Sequence, residues 1–407
     1  MKKTMTICAV LAAACAAMAA EREFNVRDCG ARPDAAVAEN TRAFQKALDM
    51  ASKEDGRVIV PPGTWTCGTL YLRSSCELHL EEGAVLKASP NLDDYNPPDA
   101  YPENWPCPPE GWNAHHFLIG NRVERCSITG PGVVDGNADA FFEKESHKED
   151  WCKIVWAEGV RRQKDKVRLR PGQLIVFIKS KDVGIGDLTV RNATCWSLFF
   201  HGCDGVAVSD YTVRNGHCDL NTDGIDIDCC SNVSLVRADI DTGDDAIAIR
   251  ASQRHLGIEK PCEHIRIADC RLSAYAMGIR IGVGNGLIRD VDISNCTVRH
   301  GAWGVSFDCW YGRKENAGVD VEDVRIRNCT FDDCYENWRI RIGGDRQEFG
   351  VRNILFKDCR FLAPKPGMVE YAGPKTVTNF RMEGCEWSPR PNSSFDHLLR
   401  TGSSVIQ

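Results

Sequence analysis

The chain has 407 residues, of which 43% are hydrophobic and 26% are charged, and its formal net charge is −7. This mild negative charge argues against nucleic acid or an anionic membrane as a partner. No stretch beyond the N-terminal segment is apolar enough to span a bilayer. A chain of this length ordinarily predicts two or three domains, unless an internal repeat builds it as one unit.

The N-terminal segment has the pattern of a secretory signal. A basic start precedes an apolar run at residues 7–14 and a small-residue cleavage signature. We therefore expect residues 1–20 to be removed on export and residues 21–407 to form a single secreted or periplasmic domain. An uncleaved anchor and lipid attachment at Cys15 are the alternatives.

An amphipathic helix is predicted shortly after this segment. Thr41 is suited to begin it, and Phe44, Ala47 and Leu48 supply a buried stripe. Such a helix can cover the open strand edges at the end of a repeat protein. Residues 142–172 are highly charged and interrupt the pattern described next, which predicts a solvated loop, or one that lies over a binding face.

A degenerate eight-residue motif is the strongest signal in the chain. Each copy alternates apolar and polar residues, turns at a corner that is usually Asp or Asn, and ends on an apolar residue. The copies begin at Val183, Val206, Val233, Ile265, Val291, Val324, Ile354 and Phe380. Successive copies begin 23 to 33 residues apart.

This repeat predicts the fold. Alternation indicates a strand with one buried face, and Asp or Asn at the corner indicates a tight turn. A period of this length built from short strands predicts an all-β right-handed parallel β-helix, with one coil per repeat and the N-terminal helix as its cap. A β-sandwich is the alternative, but its strands need not repeat a motif at a fixed place.

The 21 cysteines, two of them within the first 20 residues, follow the same repeat. Many come directly after the corner, where Cys acts as a small buried hydrophobe, so we expect an inward ladder. Some cysteines of an exported protein can also pair. Because the chain has no close CxxC pair with zinc-finger spacing, we predict neither a metal site nor a cofactor.

Two acidic segments stand out within the repeats. Asp223 lies in Asn-Thr-Asp-Gly, and Asp244 and Asp245 follow Thr-Gly one repeat later. Neighbouring coils lie about 4.8 Å apart, so we expect these three carboxylates to converge at the mouth of one sheet. Like charges that close raise at least one pKa and favour a shared proton, which is the arrangement that glycoside hydrolysis needs. The alternative is that they are turn formers or solubility residues.

At these residues the sequence resembles glycoside hydrolase family 28, the polygalacturonase-like family. The resemblance also rests on motifs at residues 24–31, 60–64, 78–84, 128–136 and 170–171. It implies that Asp244 is the general acid, that Asp223 and Asp245 activate water, and that Asn221 contacts substrate. It further implies inversion, with carboxyl groups roughly 6.5–9.5 Å apart.

The chain departs from the family pattern at two places. Met277 stands where the family has a His before Gly, and Ser306 and Asp308 replace the Arg and Lys of an Arg-Ile-Lys triplet. We expect Asp308 to repel a galacturonate carboxylate in the subsite beside the scissile bond. Arg250 and Arg280 point outward on neighbouring coils. We therefore expect them either to bind substrate or to form cross-coil ion pairs, such as Arg250 with Asp228.

Aromatic and histidine residues add candidate substrate contacts. Trp303 or Trp310 is predicted to serve as a sugar platform, with a buried, coil-stacking Trp as the alternative. His201 and His217 are further candidates for the same face, although a lone His is more often structural.

Three functions remain open on sequence alone. The first is hydrolysis of a pectin-like or other acidic plant or algal polysaccharide or oligosaccharide. The second is calcium-dependent elimination on the same solenoid, with Arg250 or Arg280 as the base. The third is carbohydrate binding without catalysis. The complete set of acids favours hydrolysis; the sequence leaves the oligomeric state open.

Overall fold

The computed structural model describes residues 22–96, 115–141, 170–215, 221–310, 318–342, 350–365, 367–371 and 377–390. The predicted signal at residues 1–20 and most of the predicted loop, residues 142–169, lie outside these ranges. Among the described residues, no helix combines the length and the apolar character needed to span a membrane.

Three parallel sheets make up the fold, and each full coil contributes one strand to each sheet. Sheet A has 12 strands, namely β1 Glu23–Asn25, β2 Arg57–Val60, β5 Cys76–Leu80, β8 Glu124–Thr129, β11 Lys181–Gly186, β14 Asp204–Ser209, β17 Ser231–Val236, β20 Cys262–Ala268, β23 Leu287–Ser294, β26 Asp320–Arg327, β29 Val351–Lys357 and β32 Thr378–Glu383. Sheet B has 11 strands, namely β3 Gly63–Cys67, β6 Ala84–Ala88, β9 Val133–Asp135, β12 Thr189–Arg191, β15 Thr212–Arg214, β18 Asp239–Thr242, β21 Arg271–Ala274, β24 Thr297–Arg299, β27 Thr330–Asp332, β30 Arg360–Phe361 and β33 Glu386–Trp387. Sheet C has 10 strands, namely β4 Leu70–Tyr71, β7 Leu118–Asn121, β10 Ile175–Ile178, β13 Leu198–His201, β16 Ile225–Asp228, β19 Ile247–Ala251, β22 Met277–Gly284, β25 Trp303–Asp308, β28 Glu336–Ile342 and β31 Met368–Tyr371.

The repeated motif sets the register of the coils. Its first residues pair from coil to coil in sheet A, as Val183 with Val206 and Val206 with Val233. All eight corner residues have positive φ between 51° and 63°, as the turn requires: Asp187, Asp210, Arg237, Asp269, Asn295, Asn328, Asp358 and Gly384. The predicted right-handed parallel β-helix is confirmed, and the alternative of a β-sandwich is wrong.

The position after the corner points into the solenoid. Cys270, Cys296, Cys329 and Cys359 occupy it on successive coils as buried free thiols. This is the predicted inward ladder. Their burial explains why the chain can carry many cysteines without exposing reactive sulfur.

Helix α1, Val37–Ala51, begins four residues before the predicted start. The hydroxyl of Thr41 donates to the Val37 carbonyl oxygen (2.7 Å), so Thr41 lies inside the helix and does not cap it. The predicted stripe is correct, because Phe44, Ala47 and Leu48 are buried. Phe44 packs on Trp65 of β3 with ring centroids 6.0 Å apart, and the helix covers the first coil.

The remaining helices of the described residues are single turns. They comprise 3₁₀ helices at Ser52–Glu54, Leu92–Asp94 and Ala138–Ala140, and helix α2 at Gln253–Leu256.

The inward stack of sheet C allows a test of the core. Ile249 is fully buried and pairs in register with Ile227 on one side and Ile281 on the other. We expect Ile249→Ala to lower the free energy of unfolding by about 2–5 kcal/mol, because the neighbouring coils cannot close the cavity. Guanidinium denaturation measures this change. The control Val369→Ala alters an exposed strand residue and is expected to change stability by less than about 0.5 kcal/mol; equal effects would contradict an isoleucine-stack core.

Candidate active site

The outer face of sheet C carries charged side chains that are buried. β16 and β19 pair Asp226 with Ala248 and Asp228 with Arg250, while Ile residues point into the solenoid. Every residue of both strands is buried. Charged groups on the outside of this sheet are therefore desolvated and must find partners in one another.

Asp223, Asp244 and Asp245 lie at the entrance to these two strands. The amide of Gly224 donates to the carbonyl oxygen of Asp245 (2.8 Å), which sets Asp223 beside Asp245 on the next coil. One carboxylate oxygen from each of the three lies within 4.8 Å of the others. Asp223 and Asp245 are buried, whereas Asp244 is half-buried and reaches the surface.

One oxygen of each carboxylate lies within 4.8 Å of the others. The expectation from the sequence concerns a different distance, the roughly 6.5–9.5 Å between the carboxyl groups of an inverting pair, and it stays a prediction. The distance therefore does not by itself assign the stereochemistry of a reaction.

Burial changes the acidity of the cluster. Burial, together with the charges of Asp226, Asp244 and Asp245, raises the pKa of Asp223 well above its usual value. Burial also raises the pKa of Asp245 to about 7, although the Arg280 guanidinium opposes this rise. The cluster therefore holds at least one proton near neutral pH.

Asp244 is held by the backbone of the preceding coil. Asn221 has a φ of 58°, and its amide donates to Oδ2 of Asp244 at 2.8 Å. The Asn221 side chain accepts from Nη2 of the buried Arg170 at 3.4 Å. Asn221, predicted to contact substrate, thus lies within the site and orients the Asp244 carboxylate, and Arg170 in turn holds the Asn221 side chain.

A buried amide that the sequence did not indicate fixes the two acidic segments relative to each other. Nδ2 of Asn215 donates to the Thr222 carbonyl oxygen and to Oγ1 of Thr242, both at 3.1 Å. The Gly243 amide donates to Oγ1 of Thr222 at 3.3 Å. An Asn directly after a strand carries no functional signal by itself, so sequence reasoning missed it.

Arg280 supplies a cation beside the cluster. Its Nη1 lies 3.0 Å from Oδ2 of Asp245, and its Nη2 donates to Sδ of Met277 at 3.0 Å. The Met277 amide donates to Oδ1 of Asp245 at 3.1 Å. Arg280 therefore forms an ion pair with the cluster, and it is also a candidate contact for substrate.

Arg250 forms the ion pairs that were the alternative to substrate binding. It lies 3.4 Å from Asp226 and 3.5 Å from Asp228, its guanidinium stacks 4.5 Å above the ring of Trp196, and it is only 1% exposed. The prediction that it contacts substrate is corrected, because these partners bury the guanidinium.

Two other predicted contacts, His201 and Trp303, are buried. His201 is buried with its ring stacked on Phe199 at 5.4 Å, and burial lowers its pKa, so it is a packed, neutral ring. Trp303 is 2% exposed and donates from Nε1 to Glu336 at 2.8 Å; this is the coil-stacking alternative. Trp310 is half-buried just after β25, and His217 lies outside the described residues.

Asp308 does not face the site as an isolated negative charge. It is fully buried between Arg280, with Nε 3.2 Å from its Oδ2, and Arg339, with Nη2 3.2 Å from its Oδ1. Nε of Arg339 also donates to Oγ of Ser306 at 3.2 Å. The sequence-based view that both cations are lost was incomplete, because Arg339 enters from the next coil.

The family model for glycosyl hydrolases family 28 matches residues 109–340, more than half of the chain. The chain belongs to glycosyl hydrolase family 28. This confirms the resemblance and the glycosidase class that it implied.

Related proteins agree with this assignment. A probable polygalacturonase from Vitis vinifera is 27% identical over 308 residues, covering 72% of this chain and 57% of that protein. An endo-polygalacturonase from Pectobacterium parmentieri is 23% identical over 322 residues, covering 71% of this chain and 77% of that protein. The crystal structure of an exopolygalacturonase from Thermotoga maritima has a TM-score of 0.65 at 20% identity, over 90% of this chain and 92% of that one. An identity that low supports the fold alone.

In this family 28 protein, replacing Asp223 tests whether its buried negative charge lowers the stability of the fold. As pH rises above the usual value of 3.8, Asp223 loses its proton first in the unfolded chain, because its pKa is higher in the folded protein. The free energy of unfolding therefore falls as pH rises from that value toward the folded-state pKa. We expect Asp223→Asn to raise the melting temperature at pH 7.5 by about 2 °C or more, and the gain to shrink at pH 4.5.

Thermal melts of wild type and variant at the two pH values measure this effect. Asp292→Asn is the control, since Asp292 pairs with Arg327 on sheet A at 2.7 Å and should give no such gain. A destabilised Asp223→Asn protein at pH 7.5 would show that the carboxylate is satisfied in the fold.

Proposed function

We propose that the protein hydrolyses a glycosidic bond in a pectin-like or related plant or algal polysaccharide, or in an oligosaccharide derived from one. The observation that carries the proposal is the convergence of Asp223, Asp244 and Asp245 within 4.8 Å, with raised pKa values at Asp223 and Asp245. Family membership and relatives named as polygalacturonases support the substrate class.

Asp244 is the proposed general acid. Its Oδ2 accepts the Asn221 amide, which directs a proton on this carboxyl to Oδ1, since the accepting oxygen takes the carbonyl role. It is also the least buried of the three, so it can reach the oxygen of a glycosidic bond.

Asp223 and Asp245 are the proposed groups that bind and deprotonate water. The pKa of Asp245, raised by burial to about 7, is near the optimum for a base that works at neutral pH. The Met277 amide and Arg280 fix its two oxygens at 3.1 Å and 3.0 Å. This holds the carboxylate in one orientation toward the water.

Hydrolysis accounts for the site better than the two alternatives. A lyase base must give up its proton, whereas Arg250 and Arg280 each lie within 3.5 Å of carboxylates that favour the charged form. A non-catalytic binding protein has no need to hold three carboxylates within 4.8 Å of one another, and such like-charge clusters cost stability.

We also propose that the enzyme works outside the cytoplasm as one domain, residues 21–407. The basic and apolar pattern of residues 1–20 supports export, and the strands of the described residues all belong to the three sheets of the solenoid.

Asp244→Asn is expected to lower kcat by about 10²- to 10⁴-fold, the usual contribution of a general acid. Reducing-end release from a panel of pectic polysaccharides and oligosaccharides measures it. Asp292→Asn on sheet A is the control with unchanged activity. Full activity of Asp244→Asn would remove its role as the acid, and a chelator-sensitive reaction with an unsaturated product absorbing in the ultraviolet would replace hydrolysis by elimination.

The stereochemistry is tested separately, because the oxygen distances do not decide it. With two carboxylates assigned to one water, we expect a single displacement and an inverted anomer as the first product. Proton NMR of the anomeric signals during the first minutes of hydrolysis measures it. A retained anomer would mean that Asp223 or Asp245 attacks the sugar directly.

A further inference from the structure

Asp308 occupies an unusual position beside the catalytic cluster. It is 0% exposed, and its two oxygens each lie 3.2 Å from a different arginine, Arg280 and Arg339. These arginines come from the coils on either side, since Ser306 pairs with Arg280 in β22 and with Arg339 in β28. One carboxylate thus bridges three coils.

The bridge is connected directly to the reaction site. Arg280 contacts Asp308 through Nε and Asp245 through Nη1, at 3.2 Å and 3.0 Å. Asp308 is therefore one guanidinium away from a carboxylate assigned to the attacking water. Arg280 is 8% exposed, so it is the side chain through which a sugar bound at Asp244 and Asp245 would meet the charge of Asp308.

Two arginines facing one point form a carboxylate-binding site. The planar guanidinium fork matches carboxylate geometry, and burial strengthens the attraction. Ser306 and the ring of Trp303, 3.7 Å from Arg339, complete the surroundings. The carboxylate in this site belongs to the protein itself.

We propose that Asp308 is an internal occupant of a carboxylate site formed by Arg280 and Arg339, so that the sugar unit bound against this coil is neutral. A uronate there has either to displace Asp308 or to bring a second negative charge next to it. The preferred unit has a hydroxymethyl, methyl or ester group at that place. This inference rests on the proposed hydrolysis and specifies its substrate.

Matched substrates test this specificity. Oligogalacturonides, their methyl esters and their carboxyl-reduced forms share linkage and ring stereochemistry and differ only in the charge of the side group. We expect wild-type kcat/KM to be at least about tenfold higher on a neutral form than on the acid form. The isosteric Asp308→Asn is expected to raise kcat/KM on the acid form at least about tenfold, mainly by lowering KM. A tenfold change corresponds to about 1.4 kcal/mol of regained binding free energy.

The matched control is Asp228→Asn. Asp228 is also a buried carboxylate on the outer face of sheet C, but it lies 3.5 Å from Arg250, outside the arginine pair. This variant should leave the preference for the neutral form unchanged. Wild-type activity on the acid form equal to that on the neutral forms would overturn the inference and leave the hydrolase proposal intact.

A binding assay tests the site without catalysis. Thermal melts of Asp308→Asn and Asp308→Ala are recorded with acetate, D-galacturonate and D-galactose. We expect the two acids to stabilise both variants, by filling the place of the lost carboxylate, and not to stabilise wild type. Equal shifts in wild type and variants would refute the internal occupant. If no substrate is hydrolysed and Asp244→Asn is indistinguishable from wild type, the proposed hydrolase activity is refuted. The thermal melts would still show whether Arg280 and Arg339 form a carboxylate site that Asp308 fills.

Discussion

In-register stacking of the coils is the constraint on which the rest of the structure depends. Each outward side chain lies over its equivalent on the next coil at strand spacing, about 4.8 Å. At that distance like charges repel strongly once water is excluded. Inside the solenoid the same stacking is favourable, because it aligns isoleucines and cysteines into continuous columns.

Sheet C meets this constraint by pairing acids with arginines of neighbouring coils. Asp226 and Asp228 face Arg250 one coil on, and Asp308 lies between Arg280 and Arg339. In each pair, the attraction between the two charges offsets the free-energy cost of removing both charges from water. Exposed surface pairs do not have this cost. The outer face of this sheet is consequently a buried layer of opposite charges.

The proposed catalytic cluster is the place where this pairing is incomplete. Asp223 stacks on Asp245 with Asp244 alongside, and Arg280 is the cation that lies against Asp245. Hydrogen bonds from Asn215 and the Asn221 amide hold the segments in this arrangement. Repulsion among these carboxylates persists because the surrounding hydrogen bonds hold the segments in place. It keeps a proton on the cluster at a pH where carboxyl groups normally lose it.

The sequence by itself determined whatever depends on the repeat. The alternating motif predicted the β-helix, its corner residues predicted the left-handed turns, and the cysteines after each corner predicted the ladder. The convergence of Asp223 and Asp245 followed as well, because a separation of 22 residues with aligned isoleucines places them one coil apart. These inferences need only the period and the alternation of inward and outward residues.

Only the tertiary structure decided how the outward side chains pair. The burial of Arg250, Trp303 and His201, and the bridge from Arg280 through Asp308 to Arg339, all depend on contacts between coils. Coil length varies from 23 to 33 residues, so sequence distance does not give the partner of an outward residue. An outward position is also exposed by default in a periodic pattern, and whether it becomes buried depends on neighbours that the pattern does not specify.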